Sequence, residues 1–304
     1  MAKKILILTD GKAGHENQSK AFARALGYDF ELKEIHFKGA VKKALSYFFD
    51  HLGIHTLSLY QQPIEPSNDY VAVLGTGSGT FYAAKTLAHQ MGVKCGVVLY
   101  PRGYKISTFD CILAPAFDQP PAAPNVIEIP ANLVANDAAF YANGTQAFRE
   151  KYAYNATRPA IGVIIGGPNK CSTMTADWMR AELTKLFADT PNCEHWVTTS
   201  RRTPADVEAV VDSFPFDYKL LYSKDHFNPI PAFVSLAKVL YVTAESTGML
   251  SEACTFGTAE VRVLDNLNPG PHKFRRFAES CAALGAKKID LSAQFAKARA
   301  CLAL

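Results

Sequence analysis

No CxxC pair and no Cys/His spacing of the metal-binding kind occurs in this sequence, so neither a zinc ligand set nor a redox dithiol can be read from it. The seven cysteines are odd in number, in a chain long enough to bury a core without staples. That predicts reduced, mostly buried thiols and a cytoplasmic protein. No apolar run approaches the roughly 18 residues needed to span a bilayer. The opening segment has only four consecutive apolar residues, Ile5 to Leu8, before Thr9 and Asp10, so it predicts a buried strand rather than a secretory leader. Neither sign of charge dominates: 15 basic residues face 13 acidic ones up to position 153, and 17 face 15 beyond it. A dedicated nucleic-acid binder would carry a larger basic excess, so nucleic acid is not an expected partner. No GxGxxG follows a strand with an acidic residue about 20 positions on, which argues against nicotinamide redox chemistry. There is no Gly-Lys-[Ser/Thr] of a Walker A loop, no tandem repeat and no low-complexity tract.

What is present is an ordinary globular composition, 48% hydrophobic and 20% charged over 304 residues, for which two domains of about 150 residues are the default. Short apolar runs alternate with longer helical patterns, the signature of α/β domains with parallel sheets. Strands are expected at Ile5–Thr9, Phe30–Ile35, Tyr70–Leu74, Cys95–Leu99, Cys111–Leu113 and Val126–Glu128. A second series falls at Ala160–Ile165, His195–Thr199, Lys219–Leu221, Val239–Val242 and Glu260–Leu264. Helices are expected over Asn17–Ala25, Gly79–Met91, Ala176–Phe187, Ala205–Ser213, Ile230–Ala237, Met249–Thr255 and Phe274–Leu284. The polar stretch Lys151–Pro159 reads as a linker, dividing the chain into residues 1–155 and 156–304. Two Rossmann-like, doubly wound domains facing a cleft are therefore expected, with ligands outside the carboxyl ends of the strands.

Several strand ends carry chemistry. Asp10-Gly11-Lys12-Ala13-Gly14-His15-Glu16-Asn17 follows the first strand. Its glycines allow a tight turn and close ligand approach, and His15 is the side chain best suited to proton transfer near neutral pH. Asp10 or Glu16 would serve instead if burial raised it, and Gly11, Lys12, Gly14 and Asn17 are candidate substrate contacts. A polar helix start with a surface histidine accounts for the same residues. Gly77-Ser78-Gly79 after the third strand is a candidate wall for an acceptor. In the second half, Gly166-Gly167-Pro168 permits close backbone approach, and Ser200-Arg201-Arg202-Thr203-Pro204 offers bidentate donors to phosphate oxygens. Glu245-Ser246-Thr247-Gly248-Met249-Leu250-Ser251-Glu252 runs from a strand into a helix, a layout that gathers backbone N–H groups and hydroxyls for a phosphate or diphosphate. An ordinary capped turn is its structural alternative. Lys273, before Arg275 and Arg276, adds positive charge. Together these loops favour an anionic nucleotide ligand. The segment Phe37–Phe49, with Lys38, Lys42 and Lys43 beside aromatics, is the candidate for membrane-surface contact, though a core helix with a charged outer face fits it too.

Asp10 to Gln18, Gly166-Gly167-Pro168, Thr199 to Pro204, Ser246 to Ala253 and Lys273 to Phe277 resemble the bacterial relatives of the plant mitochondrial-fission protein ELM, over nearly the whole chain. Glu245 stands where the family pattern has Asp, and Gly248 where it has Ser. The resemblance implies the two-Rossmann-domain glycosyltransferase architecture (GT-B), with the nucleotide-sugar in the second domain and the acceptor and base in the first. It implies a metal-independent transferase, without a separate cofactor, acting on a glycan or lipid-linked envelope acceptor at the inner face of the plasma membrane. The absence of a DxD motif agrees with that. His15 or Asp10 would take the acceptor proton, Arg201 and the Ser246–Ser251 loop would steady the departing diphosphate, and Glu252 would hold donor hydroxyls. A nucleotide-sugar epimerase using Asp10, His15 and Glu16 is the first alternative. A non-catalytic adaptor, as the plant branch implies, is the second.

Overall fold

The structure is a computed structural model describing residues 3–152 and 157–304. Part of the expected linker, 153–156, lies outside the described residues. The chain divides into two compact units, residues 1–135 with 290–304, and residues 136–289.

Unit 1 is built on a six-stranded, all-parallel sheet in the order β2-β1-β3-β4-β5-β6. Its strands are β1 (Lys4–Thr9), β2 (Phe30–Glu34), β3 (Tyr70–Thr76), β4 (Lys94–Val98), β5 (Cys111–Pro115) and β6 (Val126–Ile129). Ile5, Leu6, Ile7 and Leu8 of β1 are buried on both faces, which is why that strand reads as an unbroken apolar run rather than an alternating one. Helices α1 (Ala13–Leu26), α2 (Ala40–His51) and α3 (Phe81–Met91) cross between strands. Inside unit 1, α2 is anchored by the buried ion pair of Asp50 with Lys85 of α3, and Asp50 also accepts from the Lys105 N–H.

Unit 2 has a five-stranded parallel sheet in the order β11-β10-β7-β8-β9. The strands are β7 (Ala160–Ile164), β8 (Glu194–Thr198), β9 (Tyr218–Leu220), β10 (Val239–Thr243) and β11 (Glu260–Leu264). Its helices are α4 (Ala138–Lys151), α5 (Ala176–Asp189), α6 (Ala205–Ser213), α7 (Ile230–Leu236), α8 (Thr247–Thr255) and α9 (Lys273–Leu284). The last helix, α10 (Ser292–Leu302), returns to unit 1. Each unit is thus a Rossmann-like, doubly wound α/β fold.

Among the described residues, all eleven strands lie where the apolar runs place them. The unit borders differ from a division at 155, for reasons of packing. Phe148 of α4 is fully buried among Trp196, Tyr218 and Phe233, all of unit 2. Gly144 lets α4 approach α7 so closely that a Cβ there would sit 2.6 Å from Pro231. Conversely, Ala298 and Leu302 of α10 complete the unit 1 core beside Phe22 and Leu26.

Candidate functional site

In unit 1 the winding reverses between β1 and β3, and the loops leaving those two strands meet at their carboxyl ends. Asp10 lies between β1 and α1, after which Gly11 turns the chain at φ +76°. Helix α1 begins at Ala13, earlier than the expected Asn17, because the Lys12 carbonyl already accepts from the His15 and Glu16 N–H groups. His15 and Glu16 therefore ride on the first helical turn. His15 Nδ1 lies 3.0 Å from Asp10 Oδ1, and Lys12 Nζ lies 2.8 Å from Oδ2. Gly77, at φ +83°, is the floor for the imidazole: a Cβ there would sit 2.4 Å from His15 Cε1. Gly79 does the same for Asp10, at 2.9 Å from its Cβ. Thus the Asp10 and His15 side chains fit only because residues 77 and 79 have none of their own.

Burial tends to raise the Asp10 carboxyl, but the hydrogen bond from Lys12 and the charge and hydrogen bond of His15 outweigh it and hold Asp10 below its ordinary value. Asp10 is therefore ionised near neutrality and accepts the Nδ1 proton, which leaves His15 Nε2 as the acceptor of an orienter–base pair. A depressed carboxyl means that the folded chain binds fewer protons than the unfolded one. Its contribution is present above about pH 4 and is lost as the pH falls further. Asp10→Asn is expected to flatten the acid side of a urea-unfolding profile between about pH 5 and pH 3. The effect should stay below about 1 kcal/mol, because Lys12 is exposed. A profile parallel to the unmodified chain's would contradict the assignment.

Around this pair, Glu16 accepts a long hydrogen bond from Thr9 Oγ1 (3.4 Å) and pairs with Lys20 at 2.6 Å. Asn17 and Gly14 are exposed, and nothing lies within 4 Å of a Cβ at Gly14. Ser78 accepts from Lys43 Nζ of α2 at 2.8 Å. Lys43 thus joins the loop cluster from 35 positions away, a juxtaposition that only the sheet order reveals.

In unit 2 the reversal falls between β7 and β10. There Glu245 is almost fully buried. Its Oε1 accepts from the Gly167 N–H at 2.7 Å and from Thr243 Oγ1 at 3.1 Å, while Thr243 Oγ1 accepts from the Gly166 N–H at 2.9 Å. Glu245 therefore lies beneath the glycine turn as its internal support. Burial raises its carboxyl, against the hydrogen bonds that favour the ionised form. Oε2 is buried and, among the described residues, Asn266 is the further side chain that favours the ionised form. A Cβ at Gly166 would sit 2.1 Å from Glu245 Oε1, and one at Gly167 would sit 2.2 Å from the Arg202 carbonyl. From the next strand end, Thr203 Oγ1 donates to the Gly166 carbonyl at 2.5 Å and accepts from the Ser200 N–H. Ser200 Oγ in turn accepts from the Arg202 N–H. These contacts fix the backbone of residues 200–203 and leave Arg201 and Arg202 exposed, with no ion-pair partner among the described residues.

Helix α8 starts beside this turn. Its N-cap residue, Ser246, is buried and makes no side-chain cap, and nothing lies within 4 Å of a Cβ at Gly248. Helix N-termini carry unsatisfied donors and partial positive charge, so an uncapped one beside the Gly166-Gly167 turn suits an anion. Thr247 is half-buried, and Ser251 is buried and donates to the Thr247 carbonyl. Glu252 Oε1 accepts from Tyr141 at 2.8 Å and from Asn136 Nδ2 at 3.3 Å. Burial raises this carboxyl, opposed by those two donors. Neither donor stands out in the sequence, because both come from α4 and its approach. Lys273 is exposed at the start of α9, while Arg275 is committed to Asp265 and to the Leu267 carbonyl.

Solved structures of known proteins share this architecture. The UDP-GlcNAc 2-epimerase of Neisseria meningitidis bound to UDP-GlcNAc is 12% identical, with a TM-score of 0.50 over 99% of this chain and 97% of that one. The S. aureus MnaA–UDP co-structure is 12% identical, with a TM-score of 0.50 over 96% and 94% of the two chains. MurG of Acinetobacter baumannii is 10% identical, with a TM-score of 0.50 over 98% and 99%. At such identities the likeness shows the fold, that of two Rossmann-like domains. No curated protein sequence gives a significant match. A family model described as mitochondrial fission ELM1 matches residues 13–294.

Proposed function

We propose that this chain, which belongs to the mitochondrial fission ELM1 family, transfers a sugar from a nucleotide-sugar donor to a hydroxyl of an envelope glycan or lipid-linked acceptor. The observation that carries the reading is the Asp10–His15 pair at the strand ends of unit 1, an oriented base. The turn of unit 2 at Gly166-Gly167 and the start of α8 is the part we assign to the donor's diphosphate. In this reading His15 Nε2 takes the acceptor hydroxyl proton, and the acceptor oxygen attacks the anomeric carbon of the donor. The bond from that carbon to the diphosphate breaks, and Arg201, Arg202 and the N–H groups of α8 stabilise the departing diphosphate. No metal is required for that step. Lys273 adds positive charge, Glu252 takes a ribose or sugar hydroxyl, and Gly11, Lys12, Gly14, Asn17, Gly77 and Ser78 shape the acceptor side. That two structures of this fold contain UDP or UDP-GlcNAc supports a UDP-sugar as the first donor to try.

A second reading, epimerisation of the donor, is supported by Glu16 standing one residue from His15 and by the epimerase fold-mate. Incubating the chain with UDP-sugars separates the two. Transfer releases UDP in proportion to added acceptor, whereas epimerisation interconverts two UDP-sugars and releases none. A chain that binds donor and does neither fits the adaptor role.

A further inference from the structure

We propose that the outer face of α2, with the segment just after it, docks on an anionic phospholipid surface. Of the six exposed large apolar side chains among the described residues, four fall within positions 41–54: Val41 (72% exposed), Phe48 (59%), Leu52 (59%) and Ile54 (40%). Val41, Phe48 and Leu52 follow helical spacing and form one stripe, with the half-buried Leu45 between them. The opposite face carries Ser46 and Asp50 and is buried in unit 1. An apolar stripe turned toward solvent is the reverse of what a helix packed on a core requires.

The charges around the stripe select the occupant. Between residues 35 and 64 the only acidic residue is Asp50, and it is buried against Lys85. Lys38 and Lys42 are exposed, as is Lys105, whose N–H is held by Asp50. The surface is thus apolar and cationic with no exposed carboxylate of its own, which complements anionic headgroups above an acyl layer. A second copy of the same face, related by a two-fold axis, would set these lysines against their own kind. No helix among the described residues is long and apolar enough to cross a membrane, so contact here is with the surface. Lys43 of the same helix bonds Ser78 in the loop beneath the Asp10–His15 pair. Docking would therefore bring a bilayer-borne acceptor to unit 1 near that pair; this consequence rests on the transferase reading, and the test below does not.

The full chain is sedimented with phosphatidylcholine vesicles and with vesicles that also contain phosphatidylglycerol. It is expected to partition onto the second kind only and to be released by salt. The pair Phe48→Ser with Leu52→Ser, and separately Lys38→Glu with Lys42→Glu, should each lower the partition coefficient by about tenfold. All four side chains are exposed, and unchanged circular dichroism verifies folding; the salt release needs no variant. Failure to bind phosphatidylglycerol vesicles, or binding by both variant pairs as strong as that of the unmodified chain, overturns the proposal. So does a dimer of the unmodified chain that Phe48→Ser dissociates, since the occupant is then a second copy.

Discussion

Replacing His15 by alanine is expected to lower turnover by about 10²–10⁴-fold while leaving nucleotide affinity unchanged. The size follows from removing a general base whose proton acceptor is set by a buried partner. The selectivity follows from the division of labour, because the groups assigned to the nucleotide belong to unit 2 and His15 belongs to unit 1. Asp10→Asn should also cut turnover, by about 10²-fold or more, because an amide no longer fixes the proton on Nδ1. Gly77→Ala should resemble His15→Ala, since its Cβ would occupy the ring's place 2.4 Å from Cε1. The measurement is initial-rate kinetics of UDP release beside a binding isotherm for UDP. A His15→Ala chain with unchanged turnover and a raised KM would show a binding residue and not a base.

Gly167→Ala is expected to be the more damaging of the two single-methyl changes at the Gly166-Gly167 turn. The added Cβ would meet backbone, at 2.2 Å from the Arg202 carbonyl oxygen and 2.3 Å from its carbon, so no rotamer relieves it. The 200–203 loop must move, and with it Arg202 and the Thr203 bond to Gly166. Overpacking of this kind costs about 1–3 kcal/mol of stability. Nucleotide affinity should fall by a further factor of about 10, because the turn that faces the anion is displaced. Gly166→Ala acts through Glu245, whose Oε1 would lie 2.1 Å from the new methyl. Gly248→Ala provides the contrast: the space around it is open and it sits in a helical turn, so its unfolding midpoint should hold or rise. Chemical unfolding of the three variants decides this. Equal stability of Gly167→Ala and Gly248→Ala would refute the packing argument.

The strands were legible because parallel sheets buried on both faces write continuous apolar runs, as Ile5 to Leu8 do. Helix α4 was harder: only Tyr141 and Phe148 of it are buried, and its assignment to unit 2 depends on Phe148 finding Trp196 and Phe233 far along the chain. The chemistry-bearing loops stood out through their glycines, hydroxyls and arginines. What each residue does inside them did not, because side-chain direction is set by tertiary neighbours. Glu245 looks like a ligand contact in the sequence, yet it is turned inward under Gly167 by Thr243. Lys43 looks like part of a surface helix, yet its amine reaches Ser78. Nothing local in the sequence distinguishes those two outcomes.

Thermal and chemical unfolding in the presence of nucleoside diphosphates tests the central claim most directly. If unit 2 binds the donor's diphosphate at the turn formed by Gly166, Arg201, Arg202 and the start of α8, one nucleoside diphosphate at a hundredfold excess over its Kd should stabilise the chain by about 2.7 kcal/mol. The double variant Arg201→Ala, Arg202→Ala, with both side chains exposed and without an ion-pair partner among the described residues, should fold normally and lose that stabilisation. No shift with any nucleoside diphosphate, or a shift that survives in the double variant, would contradict the account.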